Sequence, residues 1–248
     1  MTNSINWNIE SMRVTTFQRG SFDTRSLETW LESTSENLPI QVSKTGASFL
    51  GVSRSPNGFI RANWNGHRFD VVLTSGQPDA VAHIASFTEV KRLFGWLVDA
   101  VPRMENLPVV DRIALGVILT ASVESDEQGI DLLRPVIRGL EVDPRVRDFL
   151  YRANYPIGSH SREGVNINRL ATWSVGQVQI VQLQIRPDGS QNQQVAVLIP
   201  KAIRLELDIS TDQSVMLDAD SEVVARLLTE LEQMATDIAD NGESSMLA

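Results

Sequence analysis

The sequence contains no cysteine, only three lysines and three histidines, and no long apolar run. Without cysteine, the chain has no disulfide framework, no thiolate nucleophile and no cysteine-ligated zinc or iron–sulfur centre. The longest apolar run, residues 113–119, is far shorter than the roughly 20 residues that a membrane-spanning helix needs. Residues 1–10 are polar and lack the basic start and apolar stretch of a signal peptide. We therefore expect a cytoplasmic protein without a membrane segment.

The composition is otherwise typical of a folded domain, but the charge is distributed unevenly. The 248 residues are 42% hydrophobic and 21% charged, enough for one large core or two small ones. From residue 205 onward there are eleven acidic residues and one basic residue, Arg226, which places the excess negative charge in the last fifth of the chain. Such a region repels nucleic-acid phosphates and attracts a basic partner.

Turn dipeptides and periodicity predict an α+β fold with a largely antiparallel sheet. The clearest signal is Asn65-Gly66, which is typical of a two-residue hairpin loop and places Trp64 opposite His67 and Ala62 opposite Phe69. A strand-rich region with two more turn signals begins at residue 39. The other predicted strands cover residues 11–17, 109–123, 148–155, 165–185, 191–199 and 201–209. Four helices are predicted to begin near Asp23, Ser86, Ser125 and Ala219.

Two prolines mark expected interruptions of these elements. Pro135 predicts a kink or an early end for the helix that begins near Ser125. Pro200 predicts that the strand 201–209 begins at a break rather than continuing the strand before it. Asn241-Gly242 is a stop signal for the last helix, and residues 243–248 are expected to be a frayed tail.

The predicted elements repeat in order along the chain. Residues 11–102 and 109–240 each read β-α-β-β-β-β-α, which suggests halves at 1–105 and 106–242. The two segments share no sequence identity that supports a duplication. One continuous domain, with helices on one face of a shared sheet, explains the order equally well.

Most catalytic signatures are absent from the sequence, so neither a catalytic residue nor a cofactor is assigned. The glycine-rich nucleotide loops, the H-E-x-x-H zinc motif and the G-x-S-x-G nucleophile motif do not occur. His67, His83 and His160 have no second histidine at ligand spacing. A carboxylate group around Asp208 and Asp212 lacks the regular spacing of a calcium loop, and we interpret it as structural.

One short pattern supports a hydrolase alternative. Pro78-Asp79 followed by Glu89-Val-Lys91 resembles the motif of the metal-dependent PD-(D/E)xK nuclease superfamily. The resemblance implies that Asp79 and Glu89 hold a divalent cation and that Lys91 helps to activate water. In that family the last two residues lie on a strand, whereas here Glu89 lies in the first turn of a predicted amphipathic helix.

A second alternative is a nucleic-acid-binding module on residues 145–155. This segment interleaves Arg145, Arg147 and Arg152 with aromatic residues on which bases can stack. Strand alternation, however, places Phe149 and Tyr151 on one side and Arg152 on the other. The acidic charge balance also argues against a nucleic-acid partner.

Because the sequence lacks most catalytic motifs, we predict a non-catalytic interaction or assembly protein. Exposed sheet edges and an acidic amphipathic C-terminal helix are features through which such proteins dock to another protein or to a second copy. We expect partner contacts from four residues of that helix, Val223, Arg226, Glu230 and Asp237.

Overall fold

The computed structural model describes residues 5–19, 24–34, 40–45, 48–55, 58–74, 109–143, 145–179, 182–185, 191–194, 198–212 and 221–247. Within these residues the strands are β1 Asn8–Arg19, β2 Ile40–Thr45, β3 Ser48–Ser55, β4 Gly58–Asn65, β5 Arg68–Thr74, β6 Val109–Ser122, β7 Phe149–Asn154, β8 Ile157–Gly158, β9 Asn166–Gln179, β10 Gln182–Ile185, β11 Gln191–Gln194 and β12 Leu198–Thr211. The α-helices are α1 Thr24–Thr34, α2 Asp126–Leu133 and α3 Ser221–Asn241, and a short 3₁₀ helix covers Gly242–Met246.

Ten of these strands form one antiparallel sheet. Its order is β2-β3-β4-β5-β1-β6-β12-β9-β7, with β8 also paired to β9, while β10 and β11 form a separate ribbon. Strands β1 and β6 pair along most of their length, so the sheet is continuous across the predicted boundary near residue 105. The predicted α+β class with a largely antiparallel sheet is confirmed. The helix predicted near Ser86 lies outside the described residues.

The helices pack on one face of the sheet, which we call the helix face. Side chains that lie opposite each other across the sheet share a face, and Val14, Leu115 and Ile209 form one such buried row. Helix α1 places Trp30 edge-on to Phe69 of this face, with ring centroids 5.9 Å apart. The buried stripe of α3, which includes Leu227, Leu228 and Leu231, belongs to the same core cluster.

The opposite face, which we call the open face, carries no helix in the described part of the chain. Its side chains alternate with those of the helix face and are mostly half-buried or exposed. The predicted strand 109–123 is observed as β6. On the open face it places the partly buried Ile118 and the buried Ala114 and Thr120.

The predicted hairpin forms with a different loop. Trp64 pairs with Phe69, and Ala62 pairs with Val71, so the register differs by two residues from the expected one. Gly66 has a φ of 63°, whereas Asn65 and His67 have negative φ. Because this turn needs positive φ only at its first central position, Asn65 stays in the strand and Gly66 and His67 form the loop. The predicted face of each strand is confirmed, since a shift of two residues preserves it.

The two prolines differ in their effect. Helix α2 ends at Leu133, just before Pro135, which confirms the shortened helix. Its N-terminus is the predicted capping box, in which Ser125 Oγ accepts a hydrogen bond from Gln128 N at 3.1 Å. Pro200, by contrast, lies inside β12, where a register shift between Leu198 and Lys201 accommodates the missing amide hydrogen. The expected break at Pro200 is wrong.

The C-terminal segment is ordered rather than frayed. The 3₁₀ helix after α3 buries Glu243 and Met246. Gly242 has a φ of 65°, and a Cβ at this position would overlap the backbone carbonyl of Val136. Glycine therefore lets the chain turn and pass close to the segment that follows α2. No helix among the described residues is long and apolar enough to cross a bilayer.

Candidate binding groove on the open face

A groove of about 590 Å³ crosses the open face of the sheet. It runs over the central strands from β1 through β6, β12 and β9 to the edge strand β7. Its chemically distinctive lining residues are Arg13, Leu150, Arg152, Thr172, Glu206 and Asp208, with Gly116 at the floor. The groove therefore combines two guanidinium groups, two carboxylates and apolar side chains on one accessible surface.

The sheet register explains how Arg13 and Asp208 come to face one another. Arg13 of β1 and Asp208 of β12 lie on either side of Gly116 in β6, in one row across the sheet. Gly116 has no side chain, and a Cβ there would lie 3.3 Å from Nη2 of Arg13. The Arg13 side chain thus packs over the glycine, at the floor of the groove, between β1 and β12.

Three charged groups of the groove lack partners. Within the described residues, Nε of Arg13 and Oδ1 of Asp208 are buried without a hydrogen-bond partner. Arg152 likewise makes no ion pair with the described part of the chain, although Leu170, Thr172 and Leu150 lie beside it in the lining. Unsatisfied buried atoms such as Arg13 Nε and Asp208 Oδ1 cost folding free energy, whereas Arg152 is exposed at the surface.

Two groups of neighbouring charges on the open face form ion pairs within the chain. Arg204 bonds to Glu206 and also approaches Glu10, with an Nε–Oε2 distance of 3.3 Å. At the far end of the face, Arg68 pairs with Asp70 at 2.8 Å. Buried charged atoms without a hydrogen-bond partner are not confined to the groove, since Nε of Arg112 and Oδ1 of Asp111 also lack one.

An exposed apolar residue borders the groove at the edge of the sheet. Leu150 of β7 is 65% exposed, although its neighbours in the strand are engaged on the helix face. Strand β7 pairs only with β9 in the described sheet, so its other edge is unpaired there. An exposed leucine next to an unpaired strand edge is typical of a surface that another chain can cover.

Two of the four predicted docking residues of α3 are engaged inside the protein. Val223 is only 5% exposed and packs in the core. The Glu230 carboxylate accepts hydrogen bonds from Ser159 Oγ at 2.6 Å and His160 N at 2.7 Å, which attaches the loop 159–161 to the helix. Arg226 is exposed and Asp237 is half-buried. These contacts use much of the helix for folding, and its predicted role in docking stays a prediction.

The Glu230 contacts predict a pH-dependent contribution to stability. Partial burial raises the pKa of Glu230, but the hydrogen bonds from Ser159, His160 and Ser161 outweigh it and hold the pKa below its ordinary value. A lowered folded pKa gives stability that is present above the unfolded pKa and lost as the pH falls through the folded pKa. We expect Glu230→Gln to lower the free energy of unfolding by about 2 kcal/mol at pH 7 and by much less near pH 3.

Urea unfolding at the two pH values measures this difference. Glu163→Gln is the matched control, because Glu163 is exposed in the turn just beyond the same loop. Its effect on the free energy of unfolding at pH 7 should be small. Equal losses for Glu230→Gln at pH 7 and pH 3 would contradict the assignment.

The aromatic residues predicted to stack bases also face inward. The hydroxyl groups of Tyr151 and Tyr155 donate to the Glu243 carboxylate at 2.5 and 2.9 Å, and Arg138 N donates to it at 2.9 Å. Hydrogen bonding to Glu243, together with burial, raises the pKa of both tyrosines. Tyr151 also packs against Trp173 at 5.9 Å. Of the predicted set, only Arg152 lies on the open face, as alternation predicted.

The buried cluster around Glu243 has no counterpart in the sequence predictions. Nearby, Arg169 donates to the carbonyls of Tyr155 at 3.0 Å and Met246 at 2.7 Å, and burial lowers its pKa. Glu243 lies in the segment predicted to be a frayed tail, and the residues around it in the sequence do not indicate that its carboxylate is buried and hydrogen-bonded. Only the order of the strands brings β7 and β9 to the C-terminal segment.

The hydrolase residues Asp79, Glu89 and Lys91 lie outside the described residues. Among the described ones, no three or more histidine, aspartate or glutamate side chains form a group that suits a metal ion. Asp208, from the carboxylate group noted in the sequence, lies in the groove. Comparison with protein-family models gives no match to this chain, and comparison with curated proteins gives no similar sequence.

Proposed function

We propose that the protein is a non-catalytic binding protein that holds an extended segment of another protein in the groove of the open face. The observation that carries this proposal is the set of unpaired groups in the groove, Arg13, Arg152 and Asp208, next to the exposed Leu150. Charged groups that lack partners inside the chain gain most from a ligand that supplies them.

The dimensions of the groove suit an extended peptide. From β1 to β7 the groove crosses four inter-strand spacings, which together measure about 19 Å at the usual 4.8 Å each. An extended chain of about six residues spans that distance at roughly 3.3 Å per residue. The unpaired edge of β7 offers main-chain groups where such a segment leaves the groove.

The proposed function belongs to the class predicted from the sequence, a non-catalytic interaction protein, but the proposed docking surface is different. The sequence pointed to sheet edges and to α3, whereas the internal contacts of Val223 and Glu230 favour the open face. Participation in a larger complex, self-association and a cytoplasmic location stay predictions from the sequence.

We further propose that the two halves are equivalent units. In the first half, the last strand, β5, pairs with the first, β1, and in the second half β12 pairs with β6 in the same way. A helix follows the first strand of each half, α1 after β1 and α2 after β6. The groove extends from the β1–β6 junction across the second unit.

Selection from a displayed peptide library against the immobilised full-length protein tests the proposed function. We expect enriched peptides whose affinity falls at least tenfold when Arg13→Ala or Leu150→Asp is introduced, because each change removes a contact of the groove. Fluorescence anisotropy of the synthesised peptides measures the affinities.

Arg226→Ala serves as the control, because it removes an exposed arginine on α3 at the opposite face of the sheet. If the affinity of the enriched peptides falls with Arg226→Ala but not with the groove variants, the binding site lies on α3 and not in the groove. Failure to enrich any peptide would overturn the proposal.

A further inference from the structure

We propose that two copies of this chain pair through the unpaired edges of their β7 strands, antiparallel and centred on Leu150. The two sheets then continue as one, with both open faces on the same side, because residues that lie opposite each other share a face. This contact goes beyond the proposed function, since its occupant is a second copy and its surface is the strand edge. A second copy and a bound segment that reaches β7 compete for this edge.

The main-chain groups of β7 point alternately towards β9 and away from it. Tyr155 N donates to Arg169 O at 3.3 Å, and these two residues continue the register of the β7–β9 ladder. In an antiparallel ladder, residues that bond to the neighbouring strand alternate with residues whose N–H and C=O point to the other side. Counted back from Tyr155, the main-chain groups of Leu150, Arg152 and Asn154 therefore face the edge at which the described sheet ends.

The sequence around Leu150 is complementary to its own reverse. Residues 148–152 read Asp-Phe-Leu-Tyr-Arg, with an acidic residue at one end, a basic residue at the other and an aromatic residue on each side of the leucine. An antiparallel pair centred on Leu150 sets the two leucines opposite each other. It also sets Asp148 of each copy opposite Arg152 of the other. Apolar pairs and pairs of opposite charge at facing positions stabilise antiparallel strands.

The neighbouring registers lack this complementarity. A pair centred on Tyr151 sets each Leu150 opposite the partner's Arg152, so that an apolar side chain faces a charged one. A pair centred on Arg152 sets two guanidinium groups opposite each other, and like charges at facing positions destabilise a strand pair. The register centred on Leu150 is therefore the one that we expect.

The three side chains that this register uses are exposed. Leu150 is 65% exposed, and Asp148 and Arg152 are exposed as well. In the described part of the chain, neither Asp148 nor Arg152 forms an ion pair. Glu206 lies in the same row as Arg152 but two strands away, and its ion pair is with Arg204. The partner's opposite charge is thus available to both residues.

The two other arginines that precede β7 are paired within each copy. Arg145 pairs with Asp143 at 2.6 Å, and Arg147 pairs with Asp126 at 3.3 Å. Their charges are therefore balanced by nearby carboxylates of the same chain, which reduces repulsion between two copies at this edge.

Analytical ultracentrifugation of the full-length protein alone, from about 1 μM to about 1 mM, measures the self-association. Salt at about 0.15 M screens the net charge of −9 that each copy carries. We expect a reversible equilibrium between monomer and dimer, since a short strand edge buries less area than an obligate interface. Leu150→Asp should abolish the dimer. Arg152→Asp should weaken it at least about tenfold, because two pairs of like charges then face each other.

Arg61→Asp is the matched control. It makes the same charge change at an exposed arginine of β4, which lies on the open face but far from β7 in the sheet. The dimer should form with unchanged affinity in this variant, and urea unfolding should show that every variant is folded.

Exchange of charges between two variants tests the register. Neither Arg152→Asp nor Asp148→Arg should self-associate, whereas their equimolar mixture should form mixed dimers, because every acidic residue again faces a basic one. Asp148 has a φ of 53°, a conformation that asparagine tolerates better than arginine. If Asp148→Arg does not fold, Asp148→Asn takes its place, and it should pair with Arg152→Asp more tightly than Arg152→Asp pairs with itself.

Three results would overturn the proposal. These are a monomer at every concentration, a dimer that Leu150→Asp and Arg152→Asp leave unchanged, and a dimer that Arg61→Asp weakens as strongly as Arg152→Asp does. A mixture of the two charge variants that stays monomeric would show that the register is wrong and would overturn it as well. Because no peptide is present, each of these results leaves the proposed function of the groove to its own test.

Discussion

Replacing Trp173 with alanine is expected to lower the free energy of unfolding by about 4 kcal/mol. Trp173 is fully buried at the centre of β9, opposite Leu205 of β12 and Tyr151 of β7. Truncation removes a large apolar area and leaves a cavity under a sheet that cannot collapse around it, since strands are held on both sides.

Urea unfolding followed by far-ultraviolet circular dichroism measures this loss. Leu150→Ala on the neighbouring strand is the control, because Leu150 is largely exposed and its truncation should cost less than about 0.5 kcal/mol. Similar losses for the two variants would contradict the assignment of Trp173 to the helix face and Leu150 to the open face.

Replacing Glu243 with alanine is expected to cost about 3 kcal/mol and to release the C-terminal segment. Glu243 is 2% exposed, and its carboxylate accepts from both tyrosine hydroxyls and from Arg138 N. Without it, three donors are left with no partner in a partly buried site. Glu243→Gln keeps one carbonyl acceptor and should lose less.

Two measurements test the expected effect of Glu243→Ala. Urea unfolding gives the loss of stability, and the ultraviolet absorbance of tyrosinate gives the ionisation of Tyr151 and Tyr155. Because hydrogen bonding to Glu243 is the main cause of their raised pKa, both tyrosines should ionise at lower pH in Glu243→Ala. Glu163→Ala should change neither quantity, and unchanged tyrosine titration in Glu243→Ala would contradict the cluster.

The local elements were predictable because their signals are local. The buried positions Leu27, Trp30 and Leu31 follow the helical spacing of α1, and the alternation in β12 places Ile203 and Leu205 in the core. The hairpin at Gly66 was predicted with the correct faces and the wrong register, since Asn-Gly fits more than one type of two-residue turn.

The groove was not predictable, because it depends on the order of strands that are distant in sequence. Arg13 and Arg152 belong to strands that are separated by β6, β12 and β9, and periodicity assigns each residue to a face but not to a neighbour. The role of Gly116 could not be predicted from the sequence for the same reason. Its role is apparent only when Arg13 packs over it.

The position of β12 has a consequence for biosynthesis. Both of its partners, β6 and β9, precede it along the chain, so the middle of the sheet is completed only after residue 198 has been made. Until then, β6 and β9 each present one unpaired edge, and exposed strand edges favour aggregation. The two parts of the sheet therefore join through these edges only when β12, the last strand that the structure describes, is inserted between them.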